Sequence, residues 1–265
     1  MERPEMTSVF FDQIRKTGKS VLISDYEGTL TPSMKDAEAT CPYNGISQKL
    51  ERLAALRCRV IILSNGKVNR VSEALGKNIP LEIWGLWGAE RRAPEGTLKV
   101  LYPETRQKEG LTIAYNLARN LMNDDDLEIT PLSVRAFFRS PYTQGSDHEA
   151  QELERQWIGL VSLHELRLMT FEGGMELRAR GFDKGSIVRK ILKEISEDCP
   201  CCYLGNGPSD EEAFNLLWGR GLTGLVNQEY QESSAQIWLN PPGELLKFCD
   251  DWIWSLESWE IDSRD

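Results

Sequence analysis

Apolar residues along this chain follow two spacings. Short unbroken runs, VLISD (21–25), VIILS (60–64), CCYLG (201–205) and GLVN (224–227), are rich in Val, Ile or Leu and end in small or polar residues. Such runs predict strands buried on both faces of a parallel sheet. Between them, apolar positions recur every three or four residues. ISQKLERLAAL (46–56) and KGSIVRKILKEI (184–195) predict amphipathic helices, the second with Asp183 placed as a cap. DEEAFNLL (210–217) predicts a helix whose first-turn acids suit its dipole. Strands alternating with helices predict an α/β fold with a Rossmann-like parallel sheet.

The pattern changes from about Thr105 to Glu172. A helical stretch, RQKEGLTIAYNLARNLM, leads to an acidic turn (NDDD, 123–126) and a strand-like run, LSVRAFF (132–138). A second helix, HEAQELERQWIGLV, and a strand, ELRLMTF, follow. This segment predicts a small α+β domain inserted into the core, with NDDD as a solvated loop. The domains expected are a core of residues 1–104 and 179–265 and an insert of residues 105–178.

The 265 residues suffice for such an arrangement. No apolar run approaches the roughly 20 residues of a membrane span. The opening MERPEMTSVFFDQIRK has no secretory pattern, so the expected location is cytoplasmic. A formal net charge of −10 disfavours nucleic acid and anionic membrane as partners. The six cysteines are expected to be free thiols. CPCC (199–202) lacks a second Cys or His pair at zinc spacing, and Cys201 and Cys202 are better read as the start of a strand. The C-terminal DDWIWSLESWEIDSRD, with three tryptophans, reads as a docking helix or a dimer contact.

Ligands of an open parallel sheet bind beyond the C-terminal strand ends. There the first run delivers Asp25 and Glu27, the second Ser64, Asn65 and Gly66, and the third Asn206 and Asp210, while Lys184 opens a helix near the same edge. Each alone reads as a turn residue or a solvated charge. Together, in this order, they are a much more specific signal than any one alone.

At these residues the sequence resembles the trehalose-6-phosphate phosphatase family of the haloacid dehalogenase-like superfamily. DYEGTLTP is similar to the family's D-Y-D-G-T-L-x-P, and LSNGK lies where the family has a Ser-Gly-Arg loop. GLWGAERR is similar to G-x-H-G-x-E-x-R, and LSVRAFFR to L-S-x-x-x-H-Y-R of the cap domain. GMELRARGFDKG matches E-x-R-P…K-G, and YLGNGPSDEEAF lies over Y-x-G-D-D-x-T-D-E-x-A-F. The resemblance implies a haloacid dehalogenase-like core with an inserted α+β cap. It also implies Mg2+-dependent hydrolysis of a small-molecule sugar phosphate, trehalose-6-phosphate first among them. Asp25 would be the nucleophile and Glu27 the general acid–base, with Lys184 offsetting charge. Ser64, Asn65 and Gly66 would hold the phosphate. Asp25, the main-chain carbonyl of Glu27, Asn206 and Asp210 would face the metal. Glu90, Ser133, Arg139 and Glu176 would meet the sugar, although Glu176 and Arg178 also read as a surface ion network on one strand face. Gly28 permits the tight turn after Asp25, and Pro32 ends the run.

Several positions depart from the family pattern. Glu27 stands for an Asp and adds one methylene, about 1.5 Å of reach. Asn206 and Gly207 replace paired acids, Trp87 and Phe137 replace histidines, and Thr130 lies where a cap lysine is usual. These changes set a second reading beside the phosphatase, a sugar-phosphate sensor or partner subunit that binds without turnover. A phosphatase for another sugar phosphate and a sugar-phosphate mutase are further readings.

Overall fold

The computed structural model describes residues 4–32, 41–138, 148–171 and 173–262. It divides into two compact units, one of Met1–Val100 with Lys184–Asp265 and one of Leu101–Asp183. The first opens with α1 (Pro4–Thr17), β1 (Ser20–Asp25), α2 (Ile46–Ala55), β2 (Cys58–Leu63), α3 (Val68–Leu75), β3 (Glu82–Gly85), β4 (Glu90–Arg92) and β5 (Leu98–Val100). The second holds α4 (Thr105–Arg119), β6 (Leu127–Ile129), β7 (Ser133–Phe137), α5 (His148–Leu163), β8 (Leu166–Phe171) and β9 (Gly174–Ala179). The chain then completes the first unit with α6 (Lys184–Glu194), β10 (Cys201–Gly205), α7 (Glu211–Leu217), β11 (Leu222–Val226), β12 (Ile237–Leu239) and α8 (Gly243–Asp262).

The first unit is built on an eight-stranded sheet in the order β12-β11-β10-β1-β2-β3-β4-β5. Pairing is parallel from β12 to β3, and β4 and β5 extend the edge antiparallel. All six residues of β1 are buried. The period-2 alternation of a strand then sorts its side chains. Leu22 joins a cluster with Val60, Ile62, Cys202 and Leu204, covered by Phe10 and Ile14 of α1, Leu50 of α2 and Trp252 of α8. Val21, Ile23 and Asp25 have the opposite parity. Each fully buried Leu or Ile in such a core contributes roughly 1.5–3 kcal/mol.

The tryptophan-bearing C-terminal segment belongs to this core. Trp252 is fully buried, meets Phe10 edge-on at 4.9 Å and donates from Nε1 to Ser20 Oγ at 2.9 Å. The segment is therefore a helix docked on its own sheet. CCYLG is β10, so Cys201 and Cys202 do begin a strand. Cys58, Cys199, Cys201, Cys202 and Cys249 are buried free thiols, and Cys41 is exposed.

The second unit sets α4 and α5 with an antiparallel sheet in the order β6-β7-β9-β8. Trp157 of α5 is fully buried and donates to the Ala114 carbonyl of α4 at 3.1 Å. The unit runs a few residues beyond the insert expected from the sequence at both ends. Glu104 caps α4 reciprocally with Gln107, and the Arg180 N–H bonds the Glu165 carbonyl at 3.0 Å. The acidic run forms a single 3-10 turn, Asp124–Asp126, leading into β6. Among the described residues no helix is long and apolar enough to cross a membrane.

Candidate active site

Strand β1 lies between β2 and β10, so the chain leaves it to one side and later returns on the other. Such a switch point opens a crevice at the C-terminal strand ends. Asp25 closes β1 there and is 1% exposed. Its Oδ2 accepts from Thr29 Oγ1 at 3.1 Å. Its Oδ1 lies 2.8 Å from Lys184 Nζ, close as an ion pair, but no donor is aligned on it for a hydrogen bond. Burial pushes the Asp25 carboxyl up to about 7, the Lys184 charge pulling against this and Asp210 adding to it.

Lys184 is the first residue of α6 and is itself buried. Its ammonium also meets Asp210 Oδ1 at 2.8 Å and Ser209 Oγ at 3.1 Å. Burial favours the neutral amine, yet the carboxylates of Asp25 and Asp210 outweigh it and hold the Lys184 pKa above the ordinary value. A buried ammonium is tolerated only when paired in this way.

Asp210 turns back toward its own loop. Oδ1 accepts from Tyr203 Oη at 2.6 Å as well as from Lys184, and Oδ2 accepts from the N–H groups of Asn206 at 3.1 Å and Gly207 at 3.3 Å. Gly205 makes this approach possible, because a Cβ there would stand 2.5 Å from Asp210 Cγ. A carboxylate so fully supplied with donors has little capacity left for a cation. The sequence offers Asp210 as a metal-facing acid, whereas this geometry suits it to anchoring Lys184. Asn206 lies beside the Asp25 turn. A Cβ on Gly28, at φ +77°, would come 2.0 Å from Asn206 Nδ2, so glycine serves there both for its backbone angle and for close approach.

Glu27 occupies an unexpected place. Its carboxylate reaches across to the loop after β2, where Oε1 accepts from Ser64 Oγ at 2.5 Å and from the Gly66 N–H at 3.4 Å. Oε2 accepts from the Asn65 N–H at 3.1 Å. The loop is held from behind as well. The N–H of Leu86 bonds the Gly66 carbonyl at 2.8 Å, and Leu86 and Trp87 both take left-handed backbone angles, φ +48° and +57°. Glu90 accepts from the N–H of Val68 at 2.9 Å and so caps α3, the helix that follows the loop.

The structure thus brings Asp25, Glu27, Ser64, Asn65, Gly66, Lys184, Asn206 and Asp210 to one strand edge of the first unit. Ser133 and Glu176 belong to the second unit. Ser133 Oγ lies 3.0 Å from Thr130 Oγ1, which also accepts the Ser133 N–H at 3.0 Å. Both Glu176 oxygens engage Arg178, at 2.9 and 2.7 Å, and the two are buried in β9 and not on the surface as expected, since each charge is compensated by the other. Arg139 lies outside the described residues. Thr29 and Tyr203, which orient Asp25 and Asp210, escaped the sequence reading. A buried phenol needs a partner, and that was the available signal for Tyr203.

A doubly wound parallel sheet with a strand-end Asp on β1, a serine loop after β2 and a lysine opening α6 is the core of the haloacid dehalogenase-like class. A profile of the Trehalose-phosphatase family matches residues 23–232. The chain belongs to that family. It is 24% identical over 214 residues to Trehalose-phosphatase of Schizosaccharomyces pombe, covering 76% of this chain and 26% of that protein. It is 27% identical over 240 residues to Trehalose-phosphate phosphatase of Mycobacterium marinum, covering 84% of this chain and 59% of that protein. The chain therefore spans between about a quarter and three fifths of the length of these curated relatives. Its fold is similar to that of Aspergillus fumigatus trehalose-6-phosphate phosphatase in crystal form 2, with a TM-score of 0.76 at 22% identity, covering 93% of this chain and 97% of that one.

Proposed function

We propose that this chain hydrolyses a sugar phosphate, trehalose-6-phosphate first among them, with magnesium as cofactor and the cytoplasm as its location. The observation that carries the reading is the environment of Asp25: a carboxylate at the switch point, buried, 2.8 Å from a buried ammonium, with one oxygen lacking an aligned donor. A buried acid and ammonium gathered at a switch point are a reason to look for a ligand.

In this reading an Asp25 oxygen attacks phosphorus, the bond from phosphorus to the sugar oxygen breaks, and the sugar leaves as an alcohol after taking a proton from the Glu27 carboxyl, which later recovers one from the attacking water. Water then attacks the aspartyl-phosphate, releases phosphate and restores the carboxylate. Lys184 offsets the charge gathered on Asp25 and the phosphoryl oxygens. Ser64 and the amides of Asn65 and Gly66 hold the phosphate. The residues fit magnesium, which favours oxygen donors and accepts water in its shell. Asp25 Oδ1, the Glu27 main-chain carbonyl and the Asn206 amide oxygen would hold it. When bound, it would neutralise charge on the phosphoryl group. Glu90, Ser133, Arg139 and Glu176 are proposed sugar contacts.

One observation favours the sensor reading: the Glu27 carboxylate, the acid that turnover needs, is engaged by the Ser64 loop. The deciding experiment is phosphate release from trehalose-6-phosphate and a panel of other sugar phosphates, with magnesium and with chelator, for the wild type and Asp25→Asn. Turnover of one sugar that chelation and Asp25→Asn both abolish supports the phosphatase. Binding of a sugar phosphate without turnover by the wild type supports the sensor.

A further inference from the structure

The geometry points to Glu27 as a built-in competitor for the phosphate: its carboxylate fills the Ser64 loop, and an incoming phosphate must displace it. This inference rests on the reading of that loop as a phosphate site. The motivating fact is a match of chemistry. Three donors converge on one anion, namely Ser64 Oγ at 2.5 Å and Gly66 N–H at 3.4 Å on Oε1, and Asn65 N–H at 3.1 Å on Oε2. A hydroxyl and consecutive backbone amides are what a phosphoryl oxygen pair would use. Here a side chain of the same protein uses them, with charge-assisted hydrogen bonds.

Chain length explains why this residue can do it. Glu27 starts two positions beyond the end of β1, and its carboxylate crosses to the loop beyond β2, the neighbouring strand. An aspartate would stop about 1.5 Å short. A contact at 2.5 Å would open to beyond hydrogen-bonding range. The loop cannot easily retreat from Glu27, since Leu86 and Trp87 pin it from behind. Its serine is also committed, because Ser64 is 3% exposed and its Oγ accepts from the Gly66 N–H at 2.9 Å.

The consequence is a cost on phosphate binding. Releasing Glu27 breaks bonds that the incoming phosphate only replaces, so net affinity is lowered. Once displaced and protonated from solvent, the Glu27 carboxyl is free to donate to the leaving oxygen, which joins substrate entry to the arrival of the acid. Glu27→Asp would lose the gate and keep an acid, whereas Glu27→Ala would lose both.

The test is calorimetric titration of inorganic phosphate into the full chain, as wild type, Glu27→Asp, Glu27→Ala and Glu27→Ala/Ser64→Ala, with sugar-phosphate turnover recorded in parallel. The expected result is phosphate binding at least about tenfold tighter in both single variants, the gain worth one charge-assisted hydrogen bond. The double variant should lose most of that gain. Wild-type binding as tight as that of the single variants would overturn the inference, and so would the absence of phosphate binding in every variant. The two readings fail separately. A tightened single variant with no turnover by the wild type supports the gate and sinks the phosphatase, whereas turnover with no tightening does the reverse.

Discussion

Two buried ion clusters, one in each unit, are built on different plans. In the second unit Glu176 and Arg178 are alternate residues of β9, joined by two hydrogen bonds, and Arg135 stands opposite Glu176 on β7, 3.3 Å from its Oε2. The regular spacing of an antiparallel sheet supplies that cluster, and each Glu176 oxygen has a donor. In the first unit Lys184, Asp25 and Asp210 come from three separate segments, and Asp25 Oδ1 is left without an aligned donor. The first plan is complete in the protein alone. The second gathers buried charge at a switch point, a setting in which titratable groups often serve chemistry, and under the proposed function it is the reactive one.

Asp25→Asn would test the contrast most strongly. Phosphate release should fall by more than about 10³-fold, the scale seen when a covalent nucleophile is removed. The melting temperature should hold, because burial already pushes the Asp25 carboxyl up to about 7 and a neutral amide suits that setting. Activity assays beside thermal melts check both halves. A stable variant that keeps its rate would break the comparison.

Lys184→Met comes next. It leaves Asp25 and Asp210 buried without their shared cation, and removing one partner of a buried pair costs roughly 3–5 kcal/mol. Urea unfolding should show that loss together with lost activity. In the second unit a double-mutant cycle of Glu176→Gln and Arg178→Met should give a coupling of about 1–3 kcal/mol. Turnover of a small aryl phosphate should stay unchanged in Glu176→Gln. The same variant should raise KM for a sugar phosphate, as the proposed sugar contact requires, and an unchanged KM would make Glu176 a packing residue only.

The parts legible in the sequence share a physical reason. β1, β2, β10 and β11 are buried on both faces, so they read as continuous apolar runs, and their ends located Asp25, Ser64 and Asn206. The antiparallel extension was not legible. β4 and β5 have three residues each, and β5 is exposed throughout, so neither carries a burial pattern. The Trp-rich tail reads in sequence as a docking helix or a dimer contact, and packing alone shows Trp252 buried against Phe10. At the site, residue types marked the chemistry but not the direction of side chains. Glu27 reads as an acid beside Asp25, while its rotamer aims it at Ser64.

Thr29 carries the smallest expected effect and tests how finely Asp25 is held. Its hydroxyl is fully buried and donates to Asp25 Oδ2 at 3.1 Å, leaving Oδ1 to face Lys184. Thr29→Val keeps the shape and removes that donor. Losing a hydrogen bond to a buried charged group costs about 1.5–3 kcal/mol. Because Lys184 still pairs with Asp25, the lower end of that range is expected for stability. The rate should fall by about tenfold through misorientation of the nucleophile. Thr29→Ser restores the hydroxyl and should recover most of the rate. If the serine variant is as slow as the valine, the missing methyl is responsible, and Thr29 fills space without steering Asp25. Rescue by serine would make Thr29 a positioning residue, and the facing of Asp25 Oδ1 toward Lys184 a consequence of which oxygen it holds.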